Sequence, residues 1–226
     1  MKEFKKLIQK NRNKFSIILP QLRNMEDLYK INLADENPEL KSIIYGNVAQ
    51  FANYIDEKVT THDKMAAYGG YLEDRDMYKR SKIFKMGSEY RSIHLGVDFW
   101  VAADTPVSAP LDGVIHSFAI NSAHGDYGGT IILKHWLDGV TFYTLYGHLS
   151  HQSIENKSIG QHVTSGQEFS WIGSPVENGY WPPHLHFQVM NDMLSYEGDF
   201  PGVCTPNNIK YFKKICPNPL LLFGLE

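Results

Sequence analysis

The octapeptide PPHLHFQV, residues 182–189, places two histidines one position apart in an otherwise apolar run. In a β-strand, successive side chains alternate between the two faces. Leu185 and Phe187 then read as core, and His184 and His186 share the opposite side as a pair aimed at a common point.

The same texture extends through much of the chain. From about residue 86, short runs rich in Val, Ile, Phe, Tyr and Thr alternate with Gly, Pro and Asp turns, as in TPVSAPLDGVIHSFAI, GGTIILKHW and GVTFYTLYGHL. That spacing predicts antiparallel strands. Asp138-Gly139 between two such runs is a hairpin signal. Residues 1–85 are richer in charge and Asn. There Asn37-Pro38-Glu39 reads as a helix start, followed by Leu40, Ile43, Ile44, Val48, Phe51, Ile55 and Val59 at helical spacing. One amphipathic helix is expected over about 38–59. The expectation is a mainly β protein: an α-helical N-terminal extension over 1–85, an antiparallel β-sheet core over 86–195, and an apolar tail over 196–226 docked on the core.

Composition narrows the function classes. The chain has 226 residues, 42% of them hydrophobic, and a formal net charge of −3. A packed core is expected, and no basic patch points to nucleic acid. No apolar stretch approaches the ~18 residues of a membrane span. The N-terminal apolar run, Phe15 to Leu19, is too short for a signal peptide, so the sequence by itself favours the cytoplasm. Cys204 and Cys216 are read as free thiols.

Three segments carry chemistry: His94-Leu95-Gly96-Val97-Asp98, Tyr146-Gly147-His148-Leu149, and the pair His184 and His186. Two imidazoles and one carboxylate form a ligand set for catalytic zinc with a position left open. His94 and Asp98 have the same parity, and one of the paired histidines can complete the set. The other, with His148, is left near the metal for proton transfer and oxyanion stabilisation. A cupin barrel also uses His-x-His, but it needs a later histidine, and none follows His186. His135 is read as structural by default, with a place at the side of the site as the alternative. The loop His124-Gly125-Asp126-Tyr127-Gly128-Gly129 is placed at the border of a cleft.

At these residues the sequence resembles the lysostaphin-type zinc metallopeptidases, whose pattern is His-x-x-x-Asp, then a Tyr-x-His-Leu run, then His-x-His. The resemblance covers about residues 86–195 and implies a duplicated hybrid motif, an antiparallel sheet with a groove over it. It implies His94, Asp98 and His186 as Zn²⁺ ligands and His148 and His184 as catalytic histidines. The implied activity is that of a metalloendopeptidase on peptidoglycan-type peptides, next to glycine or D-alanine. An extracytoplasmic site of action is compatible with that family. Tyr90 is the nearest candidate for the tyrosine that members place by the first motif. The chain departs from the pattern at Tyr180-Trp181-Pro182-Pro183, where Thr-Gly-Pro is usual, and at Gln188, where Glu is frequent. The flanking segments GGYLEDRDMYKRSKIF and DFPGVCTPN are similar to the peptidase portion of fused phosphotransferase/peptidase/aminotransferase proteins. Three other readings stand beside the endopeptidase: a non-catalytic zinc-binding or regulatory module, an intracellular hydrolase of a small amide, and an N-terminal latency segment in which Asn47 or Asn53 reaches the metal.

Overall fold

Asp138 and Gly139 both lie at positive φ, 49° and 81°. A two-residue turn of that hand matches the twist of its flanking strands, and it joins the two longest strands of the molecule. The computed structural model describes residues 2–22, 24–43 and 47–225. In chain order the elements are α1 (Lys2–Lys10), β1 (Leu28–Lys30), α2 (Val48–Thr61), β2 (Ala66–Gly69), β3 (Lys85–Met86), β4 (Glu89–Tyr90), β5 (Ile93–His94), β6 (Val97–Trp100), β7 (Pro106–Ser108), β8 (Gly113–Asn121), β9 (Gly128–Leu137), β10 (Val140–Leu149), β11 (His162–Val163), β12 (Glu168–Trp171), β13 (Leu185–Met190), β14 (Val203–Cys204) and α3 (Ile209–Ile215). Short 3-10 turns connect several of them.

Eight strands form the main sheet in the order β1-β2-β6-β13-β10-β9-β8-β11. The β1–β2 pair is parallel, and every other neighbouring pair is antiparallel. Side-chain alternation sorts the two faces. Val97, Phe99, Leu185, Phe187 and Val189 enter the largest core cluster, with Phe4 and Ile8 of α1 and Leu220 and Leu222 near the C-terminus. Residues of the other parity, Asp98, Trp100, His186 and Gln188, occupy the opposite face. There α2 packs, with Phe51 edge-on to Trp100 at 5.3 Å between ring centroids. No described helix is long and apolar enough to cross a membrane.

The N-terminal region differs from expectation in its helix. The single helix over about 38–59 is instead a 3-10 turn, Pro38–Ser42, and then α2, with residues 44–46 outside the described ones. Ile43 is extended, at φ −84° and ψ 124°, which ends the first turn. Asn47 starts α2 by accepting from the Gln50 N–H at 3.1 Å. Asn stabilises a helix start better than a helix interior, so its side chain favours this break. Both pieces still bury one apolar face, through Leu40, Phe51 and Ile55. With Asn47 capping α2 and Asn53 exposed, neither asparagine reaches toward a metal. Residues 66–69 of the N-terminal extension also join the main sheet. β2 adds directly to β6, with Gly69 opposite Asp98. Ala66-Ala67-Tyr68-Gly69 is too short and too small-sided to announce a strand.

His135 does not border the site. It shares parity with Ile131, Leu133 and Leu137, which are core residues, and so faces the core side of β9. Its Nδ1 donates to the Asp112 carbonyl at 2.9 Å, and its Nε2 lies 2.8 Å from Thr144 Oγ1. Burial holds the ring at a pKa of about 4, against an ordinary 6.5. The unfolded ring gains a proton below 6.5 that the folded ring refuses until about 4. Stability from this group is therefore complete above pH 6.5 and is lost as the pH falls. The loss between pH 7 and pH 5 is about 2 kcal/mol. Thermal melts at those two pH values should show His135→Gln losing part of the native chain's acid sensitivity. An unchanged pH slope would contradict this.

Candidate metal centre and its cleft

Asp98 and His186 face each other across the β6–β13 ladder, paired in register. Because both have the parity opposite to the core residues, the ladder alone puts carboxylate and imidazole on one face. His94 arrives from β5, on the far side of Gly96. The three ligand-type atoms form a small triangle. His94 Nε2 is 2.9 Å from His186 Nδ1, His94 Nε2 is 3.3 Å from Asp98 Oδ1, and His186 Nδ1 is 3.1 Å from Asp98 Oδ1.

Hydrogen bonding on the outer side of each ring decides what those atoms offer. His94 Nδ1 donates to the Gly70 carbonyl at 3.0 Å. His186 Nε2 lies 3.0 Å from Gln188 Oε1. The Gln188 amide cannot be reversed there, because its Nε2 donates to the Pro201 carbonyl at 3.2 Å and to Cys216 Sγ at 3.4 Å. His186 therefore carries its proton on Nε2. Both rings present bare lone pairs to each other and to a carboxylate oxygen. Burial, and then the charge of Arg75, hold the His94 ring at a pKa of about 4, so at neutral pH His94 Nε2 carries no proton. An ion about 2 Å from each of three tetrahedral ligands would separate them by roughly 3.3 Å. His94, Asp98 and His186 fit that requirement in atom type and spacing, and they form the group that could hold a metal among the described residues.

Two further imidazoles stand alongside. His184 Nδ1 donates to the Pro182 carbonyl at 2.7 Å, and His148 Nδ1 donates to the Asn178 carbonyl at 2.9 Å. Each is left with Nε2 as a free base. The two rings are 4.1 Å apart at their centroids, and His184 also stacks on Trp100 at 4.2 Å. His184 Nε2 is 4.0 Å from Asp98 Oδ1. Desolvation lowers both rings, followed by neighbouring histidine charge at His148, with His184 at about 4. None of the five side chains is more than 6% exposed.

His148 reaches this position through a break in the strand. The β9–β10 register slips between Tyr146 and Leu149, and His148 has φ +63°. Its N–H donates to the Tyr127 carbonyl at 2.7 Å, and its own carbonyl accepts from Gly173 N at 2.8 Å. A bulge re-aims a side chain in this way, at the cost of local strain.

Several functional neighbours carry no sequence signal of their own. Arg75 is buried, and its Nη1 donates to Asp98 Oδ2 at 2.6 Å. Within Glu73-Asp74-Arg75-Asp76 it reads as part of a solvated charged loop. Burial alone would raise the Asp98 carboxyl; the adjacent His94 and Arg75 charges and the histidine hydrogen bonds outweigh it and hold Asp98 well below the usual carboxylate range. Tyr127 OH lies 3.4 Å from His186 Nε2. Gly147 was a quiet signal for it, since a Cβ there would sit 2.5 Å from the Tyr127 ring. Tyr90, the sequence candidate, pairs in β4 with β3 and does not line the cleft; the tyrosines that do are Tyr78, Tyr127 and Tyr196. The cleft has a volume of about 300 Å³, with Asp126 and Tyr127 of the glycine-flanked loop at its border and Trp181 in its wall.

Residues 92–197 match the family model described as Peptidase family M23. An uncharacterized metalloprotease of Haemophilus influenzae is 35% identical over 96 residues, 42% of this chain and 18% of that protein. Lysostaphin of Staphylococcus staphylolyticus is 35% identical over 104 residues, 46% of this chain and 20% of that protein. The DD-carboxypeptidase/endopeptidase Mpg of Neisseria meningitidis is 33% identical over 97 residues, 43% and 20% of the two chains. This chain thus spans about a fifth of the length of these curated relatives. Among solved structures, the catalytic domain of lysostaphin from Staphylococcus simulans aligns with 72% of this chain and 97% of its own, at 26% identity and a TM-score of 0.41.

Gly96 gives the geometry a sharp test. A Cβ at this position would lie 2.6 Å from His186 Nε2 and 2.8 Å from the Phe187 carbonyl. Gly96→Ala should push the His186 ring off the triangle and weaken divalent-metal binding at least tenfold, in line with lost support for a ligand. Chelator competition measures the effect, and native-like affinity in the variant would contradict the close approach.

Proposed function

We propose, from the premise that residues 92–197 form a Peptidase family M23 domain, that the chain is a zinc-dependent peptidase. His94, Asp98 and His186 are its metal ligands, and His148 and His184 its proton-transfer groups. The observation that carries this reading is the convergence of three lone-pair atoms within 3.3 Å of one another, each ligand fixed on its outer side by a separate partner. Two imidazoles and a carboxylate suit zinc and leave a position open. When bound, zinc polarises a scissile carbonyl and makes a water molecule acidic enough to attack near neutral pH.

The chain's own residues supply the remaining chemistry. His148 and His184 are neutral at ordinary pH, and each has Nδ1–H committed to a backbone carbonyl. Each therefore keeps Nε2 for one task, to take a proton from the attacking water or return it to the departing amine. The Trp100 face holds the His184 ring flat, which fixes the direction of that nitrogen. Tyr78, Phe84 and Trp181 line the cleft with aromatic surface, which limits bulk water and strengthens the electrostatics inside. Glycyl-glycine endopeptidase and DD-carboxypeptidase/endopeptidase are the names of curated relatives. Those names support a peptidoglycan-type substrate with glycine or D-alanine beside the cleaved bond.

The test combines metal analysis with a cleavage screen over glycyl and D-alanyl peptides. The purified chain should hold zinc and turn over at least one such peptide. Chelation should abolish that turnover, and added zinc should restore it. His148→Ala and His184→Ala should each lower kcat by about 10²–10⁴-fold while metal content stays unchanged. Full hydrolysis after chelation, or a metal-loaded chain that cleaves nothing in the screen, would sink the proposal.

A further inference from the structure

Two of the three ligand residues are held from outside by a segment that precedes the family-matched region. Gly69 pairs with Asp98 in the sheet. The Gly70 carbonyl accepts from His94 Nδ1 at 3.0 Å. Leu72 N donates to the His94 carbonyl at 2.8 Å, and His94 N donates to the Glu73 carbonyl at 2.9 Å. His94 is thus clamped through both its backbone and its ring by three positions of one short segment, 70, 72 and 73. Gly70 adopts φ +114°, and a Cβ there would land on the Glu73 carboxylate. Only glycine lets the chain turn its carbonyl toward His94 while Glu73 folds back beneath it.

Arg75 completes the clamp. Its Nε donates to Glu73 Oε2 at 3.0 Å, and its Nη1 donates to Asp98 Oδ2 at 2.6 Å and to Tyr78 OH at 3.2 Å. Arg75 is 1% exposed and Asp98 2%. A buried ion pair is a poor device for stability, because apolar residues of similar volume serve as well. Its value lies in what it does to the carboxylate. With Oδ2 committed to Arg75, Asp98 offers Oδ1 alone to the triangle with His94 and His186.

We propose that Gly70 and Arg75 are positioning residues of the metal centre: Arg75 restricts Asp98 to a one-oxygen ligand, and Gly70 fixes the His94 ring. The segment 69–75 then belongs to the centre itself and is neither an independent extension nor a latency segment. This inference rests on His94, Asp98 and His186 holding zinc.

Arg75→Lys in the full chain separates position from charge, since lysine keeps the cation and loses the planar fork. Zinc affinity should fall about 10–100-fold by chelator competition. The visible absorption of the cobalt(II)-substituted protein should change as the second Asp98 oxygen becomes free to bind. If the lysine variant fails to melt cooperatively, Gly70→Ala carries the same test, because its Cβ displaces the Glu73 carboxylate and strains the backbone at φ +114°, which moves the carbonyl off His94 Nδ1. It should also bind zinc at least tenfold more weakly. A foldable variant with a zinc constant within twofold of native and an unchanged cobalt spectrum would overturn the positioning role alone. A native chain that binds no zinc would overturn this inference and the peptidase reading together.

Discussion

Asp98 is a carboxylate with almost no contact with solvent, and the surrounding architecture answers to that fact. A buried charge left without a partner costs about 3–5 kcal/mol. Here Arg75 meets one oxygen, and His94 and His186 crowd the other. The β6–β13 register, the turn at Gly96 and the attachment of β2 to the sheet edge all bring partners to this one group. A shift of β13 by a single residue would turn His186 into the core and expose Phe187 in its place. The apolar face of the sheet therefore fixes the geometry of the polar one.

The neutral histidines depend on a second constraint. Each must keep the nitrogen that faces the cleft unprotonated, and a carbonyl behind each ring does this by holding the proton on Nδ1. Those carbonyls come from Pro182 and Asn178, both on the irregular stretch between β12 and β13. Strand geometry aims the carboxylate and His186, whereas loop geometry aims His184 and His148. The bulge at His148 is where the two meet, and its left-handed backbone shows local strain retained beside chemistry.

Much of this was legible in the sequence, and the limits have physical causes. Alternation around Leu185 and Phe187 located the strand and the face of its histidines, because a period of two survives wherever one face is buried. Asp138-Gly139 announced its hairpin, because few other residues accept positive φ twice in succession. The five-residue cluster followed from motif order. Strand parity alone does not explain His148, whose direction is set by a bulge. The helix over 38–59 broke because apolar spacing reports a buried face and not backbone continuity across Asn47. His135 fits its default structural reading, and only its neighbours' parity in the sheet shows that it faces the core. Tyr90 was chosen by distance along the chain, while Tyr127 fills the space through glycines at 147 and 202 that are remote from it in sequence. Arg75 was hidden because an interior guanidinium and a solvated one look alike in a charged run.

The clamp around the centre is drawn from segments that lie far apart along the chain. His94 and His186 are separated by 92 positions, and the amide that orients His186 leans on carbonyl and thiol groups at 201 and 216. A nascent chain leaving the ribosome would expose Gly70 and His94 long before their counterparts exist. Partial products of translation thus lack the complete triangle of His94, Asp98 and His186, which closes only after residues 201–216 have taken their places behind His186.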